Sequence, residues 1–211
     1  MLVVGTAVAA GQTVSVPPDD PASVAAYRPI TPRQRFNWFV DNTIGPGSLT
    51  VGVFSSAIGT GLDRPKEYGP HWAGFGKRYG MRLTGVSTSN AMEAGLGAIW
   101  GEDPRYRYYR AEGEPTKDRI EHVAIMTMLS RNREGHLMPA YVRYMAIPGS
   151  NFLSNTWRAD SEANTGDALL RTGFGFISLM SKNAFSEFWP DIRRRVFHGS
   201  KYVPATLPGT N

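Results

Sequence analysis

Ser48-Leu49-Thr50-Val51-Gly52-Val53-Phe54-Ser55-Ser56-Ala57-Ile58-Gly59-Thr60-Gly61-Leu62 lies in a stretch, Asn42 to Leu62, that has no charged residue. Read at helical spacing, it sets Ser48, Gly52, Ser56 and Thr60 in one row along a single face. A second segment repeats the device with Gly76, Gly80, Thr84 and Thr88, followed by the pairs Ala91/Gly95 and Ala94/Ala98. Glycine weakens a helix by about 1 kcal/mol per position relative to alanine. A stripe of it therefore needs a packing reason, and close approach of two helix backbones supplies one. The eight row residues are the predicted helix-packing positions. Residues 47–62 and 72–100 are expected to form a tight helical pair joined by the loop Asp63–Pro70.

A strand reading competes. Ser48 to Phe54 partly alternates polar and apolar, as the strands of a small envelope β-barrel do. Asn90-Ala91-Met92-Glu93-Ala94-Gly95-Leu96 is a helix former's composition, however, and regularly spaced hairpin turns are missing. The expected fold is mostly α, a compact bundle of small-residue-rich helices.

Outward from this pair, Thr31-Pro32 has the form of an N-cap followed by proline in the first turn, so a helix is expected over Arg33–Asn42, broken at Gly45-Pro46-Gly47. The long second helix should stop at Trp100-Gly101-Glu102-Asp103-Pro104. Downstream the pattern predicts a helix from Lys117 to about Arg131, a turn at Asn132–Gly135 and a short helix over Pro139–Ala146. A last helix is expected from Asp160 or Ser161 to Phe188-Trp189-Pro190. The similar runs from Asn90 to Arg105 and from Asn183 to Arg193 are read as chance similarity rather than duplication.

At 211 residues the chain suits one domain, with 41% hydrophobic and 19% charged residues and 23 glycines. Met1 to Ala10 is apolar and Ala7-Val8-Ala9 matches a small-x-small cleavage site, without the usual basic flank. Residues 1–11 are thus expected to be a signal-peptide remnant, 12–32 a Pro-rich leader, 33–197 a single helical domain and 198–211 a flexible tail. The expected location is outside the cytoplasm, in the periplasm or associated with the outer membrane.

The absence of cysteine excludes disulfides, thiolate metal sites and cysteine nucleophiles. His71, His122, His136 and His198 show no ligand spacing, so no metal or other cofactor is expected. No G-x-S-x-G turn or Walker loop occurs. Gly74-Phe75-Gly76-Lys77-Arg78-Tyr79-Gly80 only superficially resembles a phosphate loop, and no catalytic residue is assigned.

The net charge of +5 favours anionic surfaces. Arg78, Arg82, Arg105, Arg107 and Arg110, interleaved with aromatics, are candidates for binding anions or lipid headgroups. Nucleic-acid binding through Arg105–Arg110 and Arg193–Arg195 ranks well below an anionic lipid or membrane partner. Asp118 precedes His122 by one turn, and a ligand pocket could gather Tyr106, Glu121 and His122 with Arg82. The leading expectation is an envelope-associated helical protein with a structural or lipid-contacting role. The alternative is a periplasmic enzyme or small-ligand-binding protein.

Gly74-x-Gly76-x-Arg78-x-Gly80, Glu102-Asp103-Pro104-Arg105-Tyr106 and Glu187-Phe188-Trp189-Pro190-Asp191-Ile192 together resemble an uncharacterised family of exported proteins abundant in Acidobacteria. The resemblance spans roughly residues 32–197. It implies export and brings no activity and no functional residue.

Overall fold

The computed structural model describes residues 24, 26–107 and 115–197. The readings of residues 1–11 and 198–211 lie outside these residues. The described chain is mostly helical, as expected, and the barrel alternative is set aside. Its helices are α1 (Pro32–Ile44), α2 (Pro46–Gly61), α3 (His71–Trp100), α4 (Thr116–Met128), α5 (Tyr141–Leu153) and α6 (Thr165–Phe197). Two short strands, β1 (Leu129–Arg131) and β2 (Leu137–Pro139), pair antiparallel.

α3 is the centre: α1, α2 and α5 all pack on it. α5 in turn carries α6, and α6 carries α4. Local chemistry explains several ends. Thr31 and Gln34 form a reciprocal capping box at α1, with Pro32 in the first turn. Gly101, at φ +80°, closes α3 in the left-handed conformation that glycine adopts without penalty.

Three element boundaries differ from the sequence reading. α4 ends at Met128 rather than Arg131, because Leu129–Arg131 leaves the helix to pair with Leu137–Pro139 and Asp103. The Asn132 carboxamide accepts from the Glu134 and His136 amides and folds the intervening turn. The helix expected over Pro139–Ala146 begins at Tyr141 and runs through Pro148 to Leu153. The last helix begins at Thr165, after a separate 3-10 turn at Asp160–Glu162, and continues through Pro190. Arg119 braces the helix there. Its guanidinium bonds Glu187 and Asp191, one on each side of Pro190.

The helix pair forms, but its two rows behave differently. Gly52 and Ser56 are buried in the seam, where a Cβ at Gly52 would stand 2.9 Å from Tyr79 and from Arg82. Thr60 lies near the guanidinium of Arg78. Gly76 and Gly80 instead face open space, and Thr84 and Thr88 bond back to carbonyls of their own helix. α3 uses a neighbouring face, with Gly74, Arg78, Tyr79 and Arg82 turned towards α2 and the loop.

These positions make opposite predictions. A Cβ at Gly74 would fall 1.8 Å from the Gly69 carbonyl oxygen. Gly74→Ala should therefore destabilise markedly in chemical denaturation. Gly76→Ala and Gly80→Ala meet nothing within 4 Å and should each stabilise by about 1 kcal/mol through helix propensity.

Candidate functional site

The interior of this protein is polar. Among the described residues, the fully buried hydrophobic side chains are few, Val123, Met126, Leu129, Val142 and Ile147 with three alanines. Buried polar and charged residues outnumber them and include Arg35, Arg78, Glu93, Glu102, Asp103, Arg143, Asn183 and Glu187. Buried charge is expensive unless it is paired and hydrogen-bonded, so each of these groups must be accounted for.

The central knot is Arg143 on α5. Its Nε lies 3.2 Å from Glu93 Oε1 on α3, with the two side chains 4% and 9% exposed. Its Nη1 donates to the carbonyls of Met126 and Thr127, where α4 ends. A cation there meets the negative end of the helix dipole. The complementary arrangement is made by Glu102, whose Oε2 accepts from the Val142 amide at 3.0 Å, in the first turn of α5. Burial raises the Glu102 carboxyl above the ordinary range, outweighing the Val142 bond, the Arg143 charge and the Ser130 hydroxyl. Thr127 then accepts from Asn183 of α6, linking α4 to that helix.

A second cluster joins α4, α6 and the segment after α3. Tyr106 donates to Glu187 Oε2 at 3.0 Å. Arg119 donates to Glu187 Oε1 and to Asp191, and its guanidinium lies 4.4 Å from the centre of the Phe188 ring. The bond from Arg119 holds the Asp191 carboxyl below its usual range. The Glu187-Phe188-Trp189-Pro190-Asp191 motif is, in physical terms, a receptor for one arginine.

The third cluster is built by Asp103. Its carboxylate accepts from the Tyr27 hydroxyl and from the backbone and guanidinium of Arg105, with Arg107 at 3.8 Å. Burial opposes ionisation of Asp103, but these donors prevail and its carboxyl sits below the normal range. Burial and the Asp103 charge push the Tyr27 hydroxyl up to about 12. Tyr27 belongs to the segment read as leader, whose end is thus tied to the domain.

The sequence-predicted site residues scatter over these clusters. Arg78 is turned inwards: it donates to the carbonyls of Arg64, Pro65 and Gly69 and faces Asp63, binding the loop between α2 and α3. Arg82 sits in the α2–α3 seam beside Gly52 and Tyr79. Arg105 and Arg107 are engaged with Asp103, and Arg110 lies outside the described residues. Tyr106 and His122 do meet, edge to face with ring centres 6.1 Å apart, and His122 Nε2 is 2.8 Å from the Arg107 carbonyl. Glu121 lies on the surface of α4. Arg193 and Arg194 are exposed near the end of α6, with Arg194 paired to Asp191.

Sequence reading missed Arg35, Glu93, Arg119, Arg143, Asn183 and Glu187. A signal was present for Glu93 and Arg143: each is a lone charge in a run of small and apolar residues. Among the described residues, no group of three or more His, Asp or Glu side chains is placed to hold a metal ion. Compared with known protein families, curated proteins and solved structures, the chain matches none.

Two measurements test this account of the interior. Arg119→Ala removes the cation from the Glu187 carboxylate, which is 1% exposed and would keep the Tyr106 hydroxyl, and should lower unfolding free energy by about 3 kcal/mol. For Glu102 the effect depends on pH. Well below about pH 4 both folded and unfolded chains hold the proton; above it the unfolded chain releases the proton first, so Glu102 subtracts stability as pH rises. Glu102→Gln, which keeps an acceptor for Val142, should raise Tm near neutral pH and lose that advantage at acidic pH.

Proposed function

We propose that this protein is an envelope-associated helical protein that lies against lipid and plays a structural, non-enzymatic part. The observation that carries the reading is the inverted distribution of polarity. The interior holds arginines, carboxylates and amides, while large apolar side chains cover the outer faces of two helices. On α2, Val51, Phe54 and Ile58 are more than half exposed, as is Leu62 just beyond its end. On α6, Leu170, Phe174, Ile177, Phe185, Ile192 and Val196 form a stripe along the helix axis, with Trp189 stacked on Phe185. At 1.5 Å per residue this stripe is about 39 Å long. Trp72, at the start of α3, is 84% exposed.

Exposed apolar surface of this extent marks contact with lipid or with another protein. Lipid is favoured here because the apolar surface lies on several helices rather than one patch, and because the chain as a whole is basic. The net charge of +5 suits anionic headgroups. Among the described residues no helix is long and apolar enough to cross a membrane. The mode proposed is therefore interfacial, with α2 and α6 laid into the headgroup boundary. Export, suggested by the small-x-small start, would deliver the protein to such a surface.

The test is vesicle co-sedimentation of the full chain. Binding to phosphatidylglycerol vesicles should exceed binding to phosphatidylcholine vesicles and should fall with added salt. Replacing Phe54 and Ile58, or Phe174 and Ile177, by serine should weaken binding by at least about tenfold, since each such side chain contributes roughly 1.5–3 kcal/mol when buried. These sites are exposed, so helicity by circular dichroism should be unchanged. Equal binding by the variants, or indifference of the native protein to both vesicles, would sink the reading.

A further inference from the structure

A cavity of about 660 Å³ opens between the segment Tyr27–Pro32, α1 and the last turns of α3. That size falls within the range of small-molecule sites. Phe36 and Phe39 of α1 form one wall, and Pro29, Ile30 and Pro32 contribute the rim. The floor is the α3 face bearing Ala91, Ala94, Gly95 and Ala98. Here the small residues do not seat another helix, and a Cβ at Gly95 would meet nothing within 4 Å. Their smallness leaves a trough instead.

One end of the trough is cationic. Arg35 and Arg133 both line the cavity, and they mark the Gly97–Gly101 end of it. Arg35 lies against Gly97, and Arg133 lies against Gly101 and donates to the Ala98 and Ile99 carbonyls. Arg35 is 9% exposed. The other buried arginines have carboxylates, Asp63 for Arg78 and Glu93 for Arg143. Among the described residues Arg35 has no carboxylate in direct contact: its Nη2 donates to the Glu102 carbonyl at 2.8 Å, and its buried Nη1 has no hydrogen-bond partner there. The nearby Asp103 is already occupied by Tyr27, Arg105 and Arg107. A buried guanidinium without a directly paired carboxylate is costly, and this one sits at the end of an apolar trough.

From this geometry we infer that the cavity is a binding site for a single-chain amphiphile with an anionic head, a fatty-acid-like carboxylate or its phosphate equivalent. The head pairs with Arg35 beside Arg133, and the acyl chain lies along Ala98, Gly95, Ala94 and Ala91, against the wall of Phe36 and Phe39. The ten helical steps from Ala91 to Gly101 extend about 15 Å along the helix, which suits a chain of medium length. The site stands on the cavity and on Arg35, independently of the exposed faces of α2 and α6.

The experiment is calorimetric titration of the full chain with dodecanoate, dodecyl phosphate, dodecanol and butanoate, each below its aggregation concentration. One-to-one saturable binding is expected for dodecanoate or dodecyl phosphate, and the tighter of the two identifies the head. Dodecanol, which lacks the charge, and butanoate, which lacks the chain, should each bind at least about tenfold more weakly. Gly95→Phe, which fills the trough at a position with open space, should lose at least about tenfold in affinity while vesicle binding stays as in the native protein. Arg35→Gln should weaken the anions and leave dodecanol unchanged. Equal binding of dodecanol and dodecanoate, native affinity in Gly95→Phe, or no binding of either anion would overturn the assignment. If Arg35→Gln does not fold, the Gly95→Phe and ligand-series results still decide it.

Discussion

The fold depends on a buried arginine. Arg143 reaches from α5 to Glu93 on α3 and to the closing carbonyls of α4, so one guanidinium ties three successive helices together. An apolar contact could hold these helices together at many rotations. A directional group with several donors accepts few, and the Glu102 bond to the α5 amide supplies a second fixed point one residue away. Loss of Arg143 or of Glu93 would leave its partner's charge buried without an opposite charge in contact, which makes that pair close to all-or-none.

A polar interior changes what the rest of the molecule must do. Hydrophobic burial is the usual main driving force for folding, yet much of this chain's large apolar surface is on the outside. In the described residues, cohesion comes instead from charged clusters, from side chains packed against Gly52 and backbone against Gly74, and from helix ends satisfied by side chains. Directional polar contacts inside and apolar side chains outside belong together if the surroundings are themselves partly apolar. In such surroundings, helix association relies on packing and interhelical hydrogen bonds rather than on exclusion of water.

The three motifs of the sequence acquire mechanical meanings in this frame. In Gly74-x-Gly76-x-Arg78-x-Gly80, Gly74 lets the Gly69 carbonyl approach and Arg78 binds the same loop, while Gly76 and Gly80 touch nothing. In Glu102-Asp103-Pro104-Arg105-Tyr106, the two carboxylates point to different clusters and Tyr106 reaches the third motif at Glu187. Glycines and charges that resemble a phosphate loop or an acid pair are here the joints of a helical array.

The helical class and the α2–α3 pair were legible because they depend on local quantities: the cost of glycine, the spacing of small residues, and proline and capping signals at the ends. The β1–β2 pair and the passage of α6 through Pro190 were not, since Asp103 and Arg119 act on them from distant parts of the chain. The same division holds for the sites. Spacing could bring Tyr106 and His122 under suspicion, and they meet; it could not tell that Glu121, one residue away, would face solvent, or that Arg82 would belong to another seam. By itself the sequence determined that small residues would line the central helix. Only the tertiary structure decided what meets each face: on one, α2 seats against Tyr79 and Arg82 and the loop against Gly74; on another, the trough beside Arg35 stays open. Periodicity records which residues share a face, and only the arrangement of the neighbours determines what, if anything, covers it.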